Sequence, residues 1–350
     1  MTINKIENEQ IILFDPYPRS KQLIFHESQW QRLQSMGRII SHEDGRMPAE
    51  IVDQHLPETV AIIGQTDFYA NRLSSAPKLK AIFNVEGNFL PNIDYEACFR
   101  SNVHVLAAAP AFSQPVAECA LAFAIDLARG ITAADRDFRA GREKYGLEGN
   151  PGGFSLSGSS VGLIGFGNLG RALLPLLAPF HCHIRVFDPW LPDSLIKENH
   201  CEPAGLDDLL KLSQVIFILA GVTSENEGFL GKKELSLIQP GSVVLLMSRA
   251  GVVDFEAFLN CVKKGQFRAA SDVFPVEPVP IDDPVRQIEG LILSAHRTGG
   301  IRDSFYRIGD MVLDDLSLIL SGLPPVRLQP AKPETAARNR SLPGRNYEKI

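Results

Sequence analysis

The chain has 350 residues, of which 45% are hydrophobic and 22% are charged, and its formal net charge is −6 at pH 7. This length accommodates two domains of ordinary size. The acidic balance leaves no basic stripe to neutralise phosphates, which argues against nucleic acid as a partner. We find no apolar run as long as a membrane span and no apolar signal core at the N-terminus. We therefore expect a cytoplasmic protein with no membrane partner.

The cysteines argue for the same compartment. Their number is odd and they are not closely paired, which is typical of reduced thiols in a cytosolic protein; they are Cys98, Cys119, Cys182, Cys201 and Cys261. The run from His181 to His183, followed by His200 and Cys201, contains metal-ligating residue types, but no zinc-type spacing completes it. We therefore predict no metal.

The segment from residue 10 to 107 alternates short apolar runs with amphipathic stretches, which predicts a parallel sheet covered on both faces. The predicted strands are Ile11–Phe14, Arg38–Ser41, Val60–Gly64, Leu79–Val85 and Val103–Ala107. The predicted helices are Ser28–Met36, Pro48–His55, Phe68–Ser74 and Ile93–Arg100.

The most apolar helix is predicted over Pro115–Gly130, with a proline suited to its first turn. The polar run Thr132–Tyr145 that follows carries three arginines and Lys144. We interpret these cations as a solvated helix face; the alternative is a clamp for an anionic substrate.

The stretch from Ser160 to Asp188 organises the second half of the chain. A short apolar strand leads into a complete G-x-G-x-x-G, and a helical pattern and a second strand ending on Asp188 follow. Gly165 allows the tight turn, Gly167 lets the backbone approach a pyrophosphate, and Gly170 lets the helix pack on the strand. A glycine-rich turn alone would be weak evidence, but here every part occurs in order. We predict a dinucleotide site, and Asp188 favours NAD because it would repel a 2′-phosphate.

Strand and helix alternation continues beyond Asp188 and ends in an amphipathic helix, Ile301–Gly322. The predicted strands are Val215–Leu219, Ser242–Leu246, Ala269–Asp272 and Leu291–Leu293. From Arg327 onward the chain is poor in apolar residues, so we expect a polar tail that is disordered or lies on the surface.

Three side chains that could perform chemistry follow predicted strands, where open α/β sheets place their ligands. They are Arg249, Glu277 and His296. A guanidinium can bind a substrate carboxylate and keto oxygen in a planar fork. A histidine can give that oxygen its proton as hydride arrives, and a carboxylate can orient the histidine. Each residue alone has an ordinary structural explanation, but their joint occurrence after a dinucleotide motif favours hydride exchange with a 2-keto acid.

These motifs resemble those of the D-isomer-specific 2-hydroxyacid dehydrogenase family, to about residue 325. The stretches SRAGVVD, DVFPVEP and AHRTGG look like the family's arginine, glutamate and histidine motifs. The resemblance implies α/β architecture with two doubly wound parallel-sheet domains. A Rossmann NAD-binding domain (115–298) is inserted into a flavodoxin-like substrate domain (1–114 and 299–326), followed by a tail (327–350). It also implies a homodimer formed through the region after Pro115.

The resemblance further assigns roles to single residues. Arg249 would bind substrate, Glu277 would assist the histidine, and His296 would be the acid/base. Asp272 would meet the nicotinamide carboxamide. Other residues would line the cofactor site: Phe166, Asn168, Leu169 and Met247.

The sequence departs from the family in the loop that usually holds the substrate carboxylate through a Gly-x-Gly pair. Here Val85–Leu90 has a single glycine and an added acid, Glu86. We keep Gly87 and Asn88 as predicted substrate-binding residues. Arg297, beside the histidine, replaces a common aliphatic residue and could bind a dianionic substrate or pair with an acid.

The prediction is an NAD-dependent enzyme that interconverts a D-2-hydroxy acid and its 2-keto acid. The altered loop leaves open a second hypothesis, an NADH-binding sensor with little or no turnover, as in the family's corepressors. A third is a different oxidation on the same scaffold, such as that of formate or phosphite. The sequence does not choose the substrate side chain or the direction.

Overall fold

The computed structural model describes residues 10–42 and 45–338. The chain forms two compact units, one from Met1–Phe112 with Gly300–Ile350 and the other from Ser113–Gly299. In both units, parallel strands with buried residues alternate with helices, which is the pattern of a sheet covered on both faces.

The strands are short. They are β1 (Ile11–Asp15), β2 (Arg38–Ser41), β3 (Thr59–Gly64), β4 (Ala81–Asn84), β5 (His104–Ala107), β6 (Ser160–Ile164), β7 (His183–Phe187), β8 (Glu202–Pro203), β9 (Val215–Ile218), β10 (Val243–Leu246), β11 (Arg268–Ser271), β12 (Leu291–Leu293) and β13 (Gln329–Pro330).

The α-helices range from one turn to more than five. They are α1 (Lys21–Ile24), α2 (Glu27–Gln34), α3 (Ala49–His55), α4 (Ala70–Leu73), α5 (Tyr95–Arg100), α6 (Ala109–Arg129), α7 (Ile131–Arg139), α8 (Asn168–Leu177), α9 (Asp193–Glu198), α10 (Leu206–Leu212), α11 (Lys232–Leu235), α12 (Phe255–Lys263), α13 (Arg302–Leu320) and α14 (Pro333–Ala336). Short 3₁₀ segments occupy Leu56–Glu58, Gly146–Gly149, Ala178–Phe180, Ala250–Val252 and Pro284–Gln287.

The first unit contains a six-stranded sheet in the order β13-β5-β4-β3-β1-β2. Strands β1 to β5 are parallel, whereas β13 runs antiparallel to β5. The order 2-1-3-4-5 is that of a flavodoxin-like fold, in which ligands bind beyond the carboxyl ends of the strands. Helix α13 packs on this sheet and buries Ile308, Val312 and Leu316 in its core.

The second unit contains a seven-stranded parallel sheet in the order β12-β11-β10-β9-β6-β7-β8. Its direction of winding reverses between β6 and β9, as in a Rossmann fold, and the glycine-rich turn follows β6 at this point. The prediction of two doubly wound parallel-sheet domains is confirmed.

Helix α6 begins at Ala109 instead of Pro115, so the proline lies inside it. The proline removes only one backbone hydrogen bond, and burial of Ala111, Ala117 and Ala120 stabilises the turns around it. The longer helix also corrects the sequence analysis in another respect. In the described part of the chain, α6 is the one helix that could span a membrane by length and composition, with 21 residues and a mean hydropathy of 1.2. About half of it is buried inside the protein, as in a core helix.

As far as Arg338 the tail lies on the surface, which is one of the two alternatives that the sequence left open, and it is ordered. Leu328 is only 4% exposed, and β13 adds an edge strand to the first sheet. The carboxylate of Asp315 in α13, which is fully buried, accepts hydrogen bonds from the backbone N–H groups of Val326, Arg327 and Leu328. The segment is ordered because one buried acid satisfies its backbone, which composition does not reveal. The rest of the predicted tail, 339–350, lies outside the described residues.

The cations after α6 pair locally. Arg139 contacts Asp135 at 2.9 Å and Arg142 contacts Asp137 at 2.9 Å, and all four side chains are largely exposed. Exposed ion pairs between neighbouring residues are typical of a solvated helix face, so they favour that interpretation over a clamp for an anionic substrate.

Candidate active site

The turn after β6 is one that only glycine can form. Gly165 has φ +93°, and a Cβ on it would lie 2.7 Å from the backbone nitrogen of Ala220. A Cβ on Gly170 would lie 3.0 Å from the Gly165 carbonyl oxygen. Gly165 therefore allows the turn to lie against the backbone that follows β9, and Gly170 allows α8 to pack against the turn.

The start of α8 is open to a ligand. Gly167 is exposed, and a Cβ placed on it would have no neighbour within 4 Å. The N-cap residue is Gly167 itself, which has no side chain to cap the first turn. Asn168 is exposed and Leu169 is half-buried in the first turn. Backbone N–H groups and the helix dipole at such a turn attract a phosphate, so these residues fit a dinucleotide.

Asp188 is fixed at the end of β7. Its Oδ2 accepts a hydrogen bond from the Phe166 N–H at 2.8 Å, and its Oδ1 accepts one from the Trp190 N–H at 3.1 Å. The carboxylate is half-buried and places a negative charge beside the glycine-rich turn. Arg185, earlier on the same strand, pairs with Glu202 at 3.3 Å.

Two predicted cofactor residues have their side chains in the hydrophobic core. Phe166 is fully buried and Met247 is 3% exposed, and both belong to the core beneath the sheet of the second unit. The Phe166 N–H is already used by Asp188. Neither side chain faces solvent.

His296 and Glu277 form a direct pair. The Nδ1 atom of His296 lies 2.7 Å from Oε2 of Glu277, and the two side chains are 39% and 33% exposed. The Phe274 N–H donates to the other oxygen of Glu277 at 2.9 Å. With Nδ1 donating to the carboxylate, Nε2 remains for a substrate proton.

The charges around Glu277 keep it ionised. Burial raises the pKa of this carboxyl, but hydrogen bonds from His296 and Phe274 and the charges of His296 and Arg249 outweigh it. The pKa therefore lies below its ordinary value of 4.5. Arg249, Glu277 and His296 follow β10, β11 and β12, which are neighbouring parallel strands of one sheet.

Arg249 follows β10 at the start of a 3₁₀ turn, with an extended backbone. Its Nη1 donates to the Ser248 carbonyl oxygen at 2.6 Å, and the residue is half-buried. This bond orients the guanidinium at the carboxyl end of the sheet. The second unit therefore brings together all three predicted catalytic residues.

Asp272 holds the loop that presents the histidine. It is 2% exposed, and its oxygens accept hydrogen bonds from the Ser294 hydroxyl, the Arg297 N–H and the Thr298 hydroxyl and N–H. His296, within this loop, has φ +49°, a left-handed conformation that needs such support. The sequence signal for this support is the pair of hydroxyl residues two positions before and after the histidine, Ser294 and Thr298, which both donate to Asp272. A nicotinamide contact of Asp272 stays a prediction.

Arg297 is exposed. Its backbone is held by Asp272, while no hydrogen bond or ion pair of its guanidinium is found within residues 10–42 and 45–338. The pairing with an acid that the sequence left open is therefore absent from this part of the chain. The guanidinium is available to a ligand.

Gly87 and Asn88 lie in the first unit, in the loop after β4. Both are half-buried, and the carbonyl oxygen of Asn88 accepts a hydrogen bond from the Asn84 side-chain amide at 2.7 Å. The sequence missed Arg19, which binds Glu86 in this loop. The sequence signal for such a partner was the added acid, Glu86, because a half-buried carboxylate needs a cation or a hydrogen-bond donor beside it.

No group of three or more His, Cys, Asp or Glu side chains that could hold a metal occurs among the described residues. The cysteines are free thiols. Burial raises the pKa of Cys98 and of Cys201 to about 11, with Asp94 adding to the effect at Cys98, so both stay protonated.

Comparison with known proteins identifies relatives of this arrangement. The family model for the D-isomer specific 2-hydroxyacid dehydrogenase NAD binding domain matches residues 121–298. A phosphoglycerate oxidoreductase from Rhizobium etli, known from a crystal structure, is 44% identical with a TM-score of 0.84, covering 93% of this chain and 99% of that one.

Curated relatives carry two different activities in their names. A D-3-phosphoglycerate dehydrogenase of Mycobacterium leprae (strain TN) is 30% identical over 270 residues, covering 76% of this chain and 50% of that protein. A glyoxylate reductase of Korarchaeum cryptofilum (strain OPF8) is 27% identical over 261 residues, covering 73% and 78%. The chain thus spans half the length of the D-3-phosphoglycerate dehydrogenase it matches.

Proposed function

Because the chain belongs to the D-isomer-specific 2-hydroxyacid dehydrogenase family, we propose that it interconverts a D-2-hydroxy acid and its 2-keto acid with NAD. The observation that carries this proposal is the His296–Glu277 pair at 2.7 Å, with Arg249 after a neighbouring strand of the same sheet and the glycine-rich turn in the same unit. A proton donor, its orienting carboxylate and an anion-binding guanidinium are what reduction of a keto acid requires.

The residues of this chain have separable tasks. Arg249 binds the substrate carboxylate and polarises the keto oxygen. Gly87 and Asn88, in the first unit, stay predicted substrate-binding residues. His296 delivers the proton from Nε2 to the keto oxygen, and Glu277 holds the imidazolium through Nδ1. In the oxidation direction the same nitrogen takes the proton back.

The cofactor site fits NADH, which supplies the hydride to C2 of the keto acid. The N-terminal turn of α8 holds the pyrophosphate through its backbone, and Gly167 leaves room for it. Asp188 accepts hydrogen bonds from the adenosine ribose. Reduction then adds one hydride and one proton, and the charge of the carboxylate does not change.

The test is NADH consumption by the purified protein with glyoxylate, hydroxypyruvate, pyruvate, branched 2-keto acids and phenylpyruvate. His296→Ala should lower kcat about 10²–10⁴-fold, the usual contribution of general acid–base catalysis. The exposed His183, in the same unit, gives a matched control, and His183→Ala should leave kcat unchanged. Near-full turnover by His296→Ala would contradict the assigned role.

A second candidate function is an NADH-dependent sensor. The altered Val85–Leu90 loop with its added acid is the observation behind this candidate, whereas the bidentate pair of Glu86 with Arg19 balances that charge and supports the enzyme. It predicts tight NADH binding without turnover of any keto acid in the panel.

We also propose a homodimer formed through α6 and the segment after it. Ile131, Phe138 and Tyr145 are large apolar side chains with exposures of 54%, 63% and 78%, which supports a partner surface there. Light scattering coupled to gel filtration measures the mass, and Phe138→Asp should shift it towards the monomer.

A further inference from the structure

The Val85–Leu90 loop is held rigidly at the carboxyl end of β4. The side chain of Asn84, only 3% exposed, accepts the Glu86 N–H at 2.9 Å and donates to the Asn88 carbonyl oxygen at 2.7 Å. The Ala108 N–H donates to the Glu86 carbonyl oxygen at 2.8 Å. These bonds fix the backbone of the loop before any ligand arrives.

Two neighbouring N–H groups of this loop are left for a ligand. Gly87 and Asn88 are half-buried, and their N–H groups have no acceptor in the part of the chain that the structure describes. Successive backbone N–H groups at the carboxyl end of a parallel sheet attract anionic oxygens. The geometry is therefore that of a carboxylate site.

Glu86 opposes this use of the loop. Its carboxylate is attached one residue before the two N–H groups and is 23% exposed, so water screens it only in part. A negative charge a few ångströms away from a bound anion repels it by an amount worth about tenfold or more in affinity. The loop can bind a carboxylate only if this charge is balanced.

Arg19 balances the charge. Its Nε and Nη2 bind Oε1 and Oε2 of Glu86 at 2.9 and 2.8 Å, a bidentate pair, and the arginine side chain is 15% exposed. The guanidinium carbon also lies 4.7 Å from the centre of the Phe305 ring. Planar stacking and the fork hold the arginine in one orientation.

We propose that Arg19 is a positioning residue for substrate binding: by neutralising Glu86 it makes the Gly87–Asn88 backbone competent to bind the carboxylate of the keto acid. This inference rests on the proposed function for the identity of the anion. It explains how the loop tolerates an acid at a place where the family has none.

The test combines two neutral substitutions in the full-length protein. Arg19→Gln leaves Glu86 ionised and unpaired, so the KM for the keto acid should rise about tenfold or more, with a small change in kcat. Adding Glu86→Gln to that variant removes the charge, and the KM should return to within about threefold of wild type. Rising ionic strength should reduce the defect of Arg19→Gln, because salt screens exposed charges. The affinity for NADH should stay constant throughout.

A purely structural tie between Arg19 and the loop makes the opposite prediction. The double variant would then be as defective as Arg19→Gln, and salt would not restore the KM; either result overturns the proposal. Arg32→Gln is the matched control, since Arg32 pairs with Asp314 at 3.1 Å on another face of the same unit. If Arg19→Gln does not fold, Arg19→Lys keeps the charge and should retain the KM within a few-fold.

Titration of oxalate into the NADH-saturated protein separates this inference from the proposed function. The inference is supported, even if no keto acid is turned over, when oxalate binds Arg19→Gln most weakly and binds the double variant about as tightly as wild type. If Arg19→Gln changes neither the KM for the keto acid nor the affinity for oxalate, the inference is overturned and the proposed function still stands. Wild-type protein that does not bind oxalate also overturns the inference.

Discussion

The substitution Asp188→Asn tests the preference for NAD most directly. Asparagine has the shape of aspartate, and its one oxygen can accept the Phe166 N–H, which lies 2.8 Å from Oδ2, while the longer bond from the Trp190 N–H to Oδ1 is lost. The glycine-rich turn should therefore keep its conformation while the negative charge at the end of β7 disappears.

The expected magnitude has two parts. A carboxylate and a phosphate charge about 4 Å apart repel each other by about 4 kcal/mol near a protein surface, and salt and the partial exposure of Asp188 reduce this to roughly half. Losing the charge-assisted hydrogen bond to the ribose costs about 1.5 kcal/mol with NADH. The ratio of kcat/KM for NADH to that for NADPH should therefore fall about 10²- to 10³-fold.

The assay is the rate of keto-acid reduction with each cofactor, for wild type, Asp188→Asn and the control Asp193→Asn. Asp193 is an exposed acid at the start of α9, so its substitution should change neither value. Comparable efficiency of wild type with both cofactors would refute the reasoning, and so would an unchanged ratio in Asp188→Asn.

Three further outcomes are expected. Glu277→Gln should lower kcat about 10²-fold or more, at every pH from about 5 to 8, since the pKa of Glu277 lies below 4.5; a loss that vanishes towards pH 5 would contradict the pairing. For the same reason, the stability that this carboxylate contributes is present above pH 4.5 and lost as the pH falls through its lowered pKa. Asp315→Asn should lower the free energy of unfolding in urea by about 1–3 kcal/mol, since one of the two oxygens that accept the backbone N–H groups of Val326, Arg327 and Leu328 is replaced by an amide donor. Asp314→Asn, which loses exposed ion pairs with Arg32 and Arg327, should lower it by at most about 1 kcal/mol. Gly165→Ala should destabilise the fold by at least about 1–3 kcal/mol, because the positive φ strains the backbone and the new Cβ clashes with the Ala220 backbone. Gly167→Ala should leave the melting temperature unchanged and weaken NADH binding; equal effects of the two substitutions would refute the two roles.

The C-terminal segment shows what a sequence pattern leaves open. Composition predicted a polar tail from Arg327 that is disordered or lies on the surface, and the structure has it ordered on the surface because one buried acid, Asp315, accepts the backbone N–H groups of Val326, Arg327 and Leu328. A polar composition reports how little apolar surface a segment can bury. It does not report whether a distant side chain satisfies the backbone.

The sequence by itself determined what depends on neighbours along the chain. The glycines from Gly165 to Gly170, the strand before them and Asp188 after them lie within one βαβ unit, so their spacing dictates their geometry. The Arg249, Glu277 and His296 motifs could also be recognised, because parallel strands bring their carboxyl ends to one edge of a sheet.

Only the tertiary structure decided the partners that hold these groups in place. Asp272 fixes the histidine loop across more than twenty residues, and Arg19 reaches Glu86 across 67. Such pairs depend on strand order and on which faces meet, and a sequence pattern with a period of two or four residues carries no information on either. The chemistry of the site is therefore visible in local motifs, and its support comes from the fold.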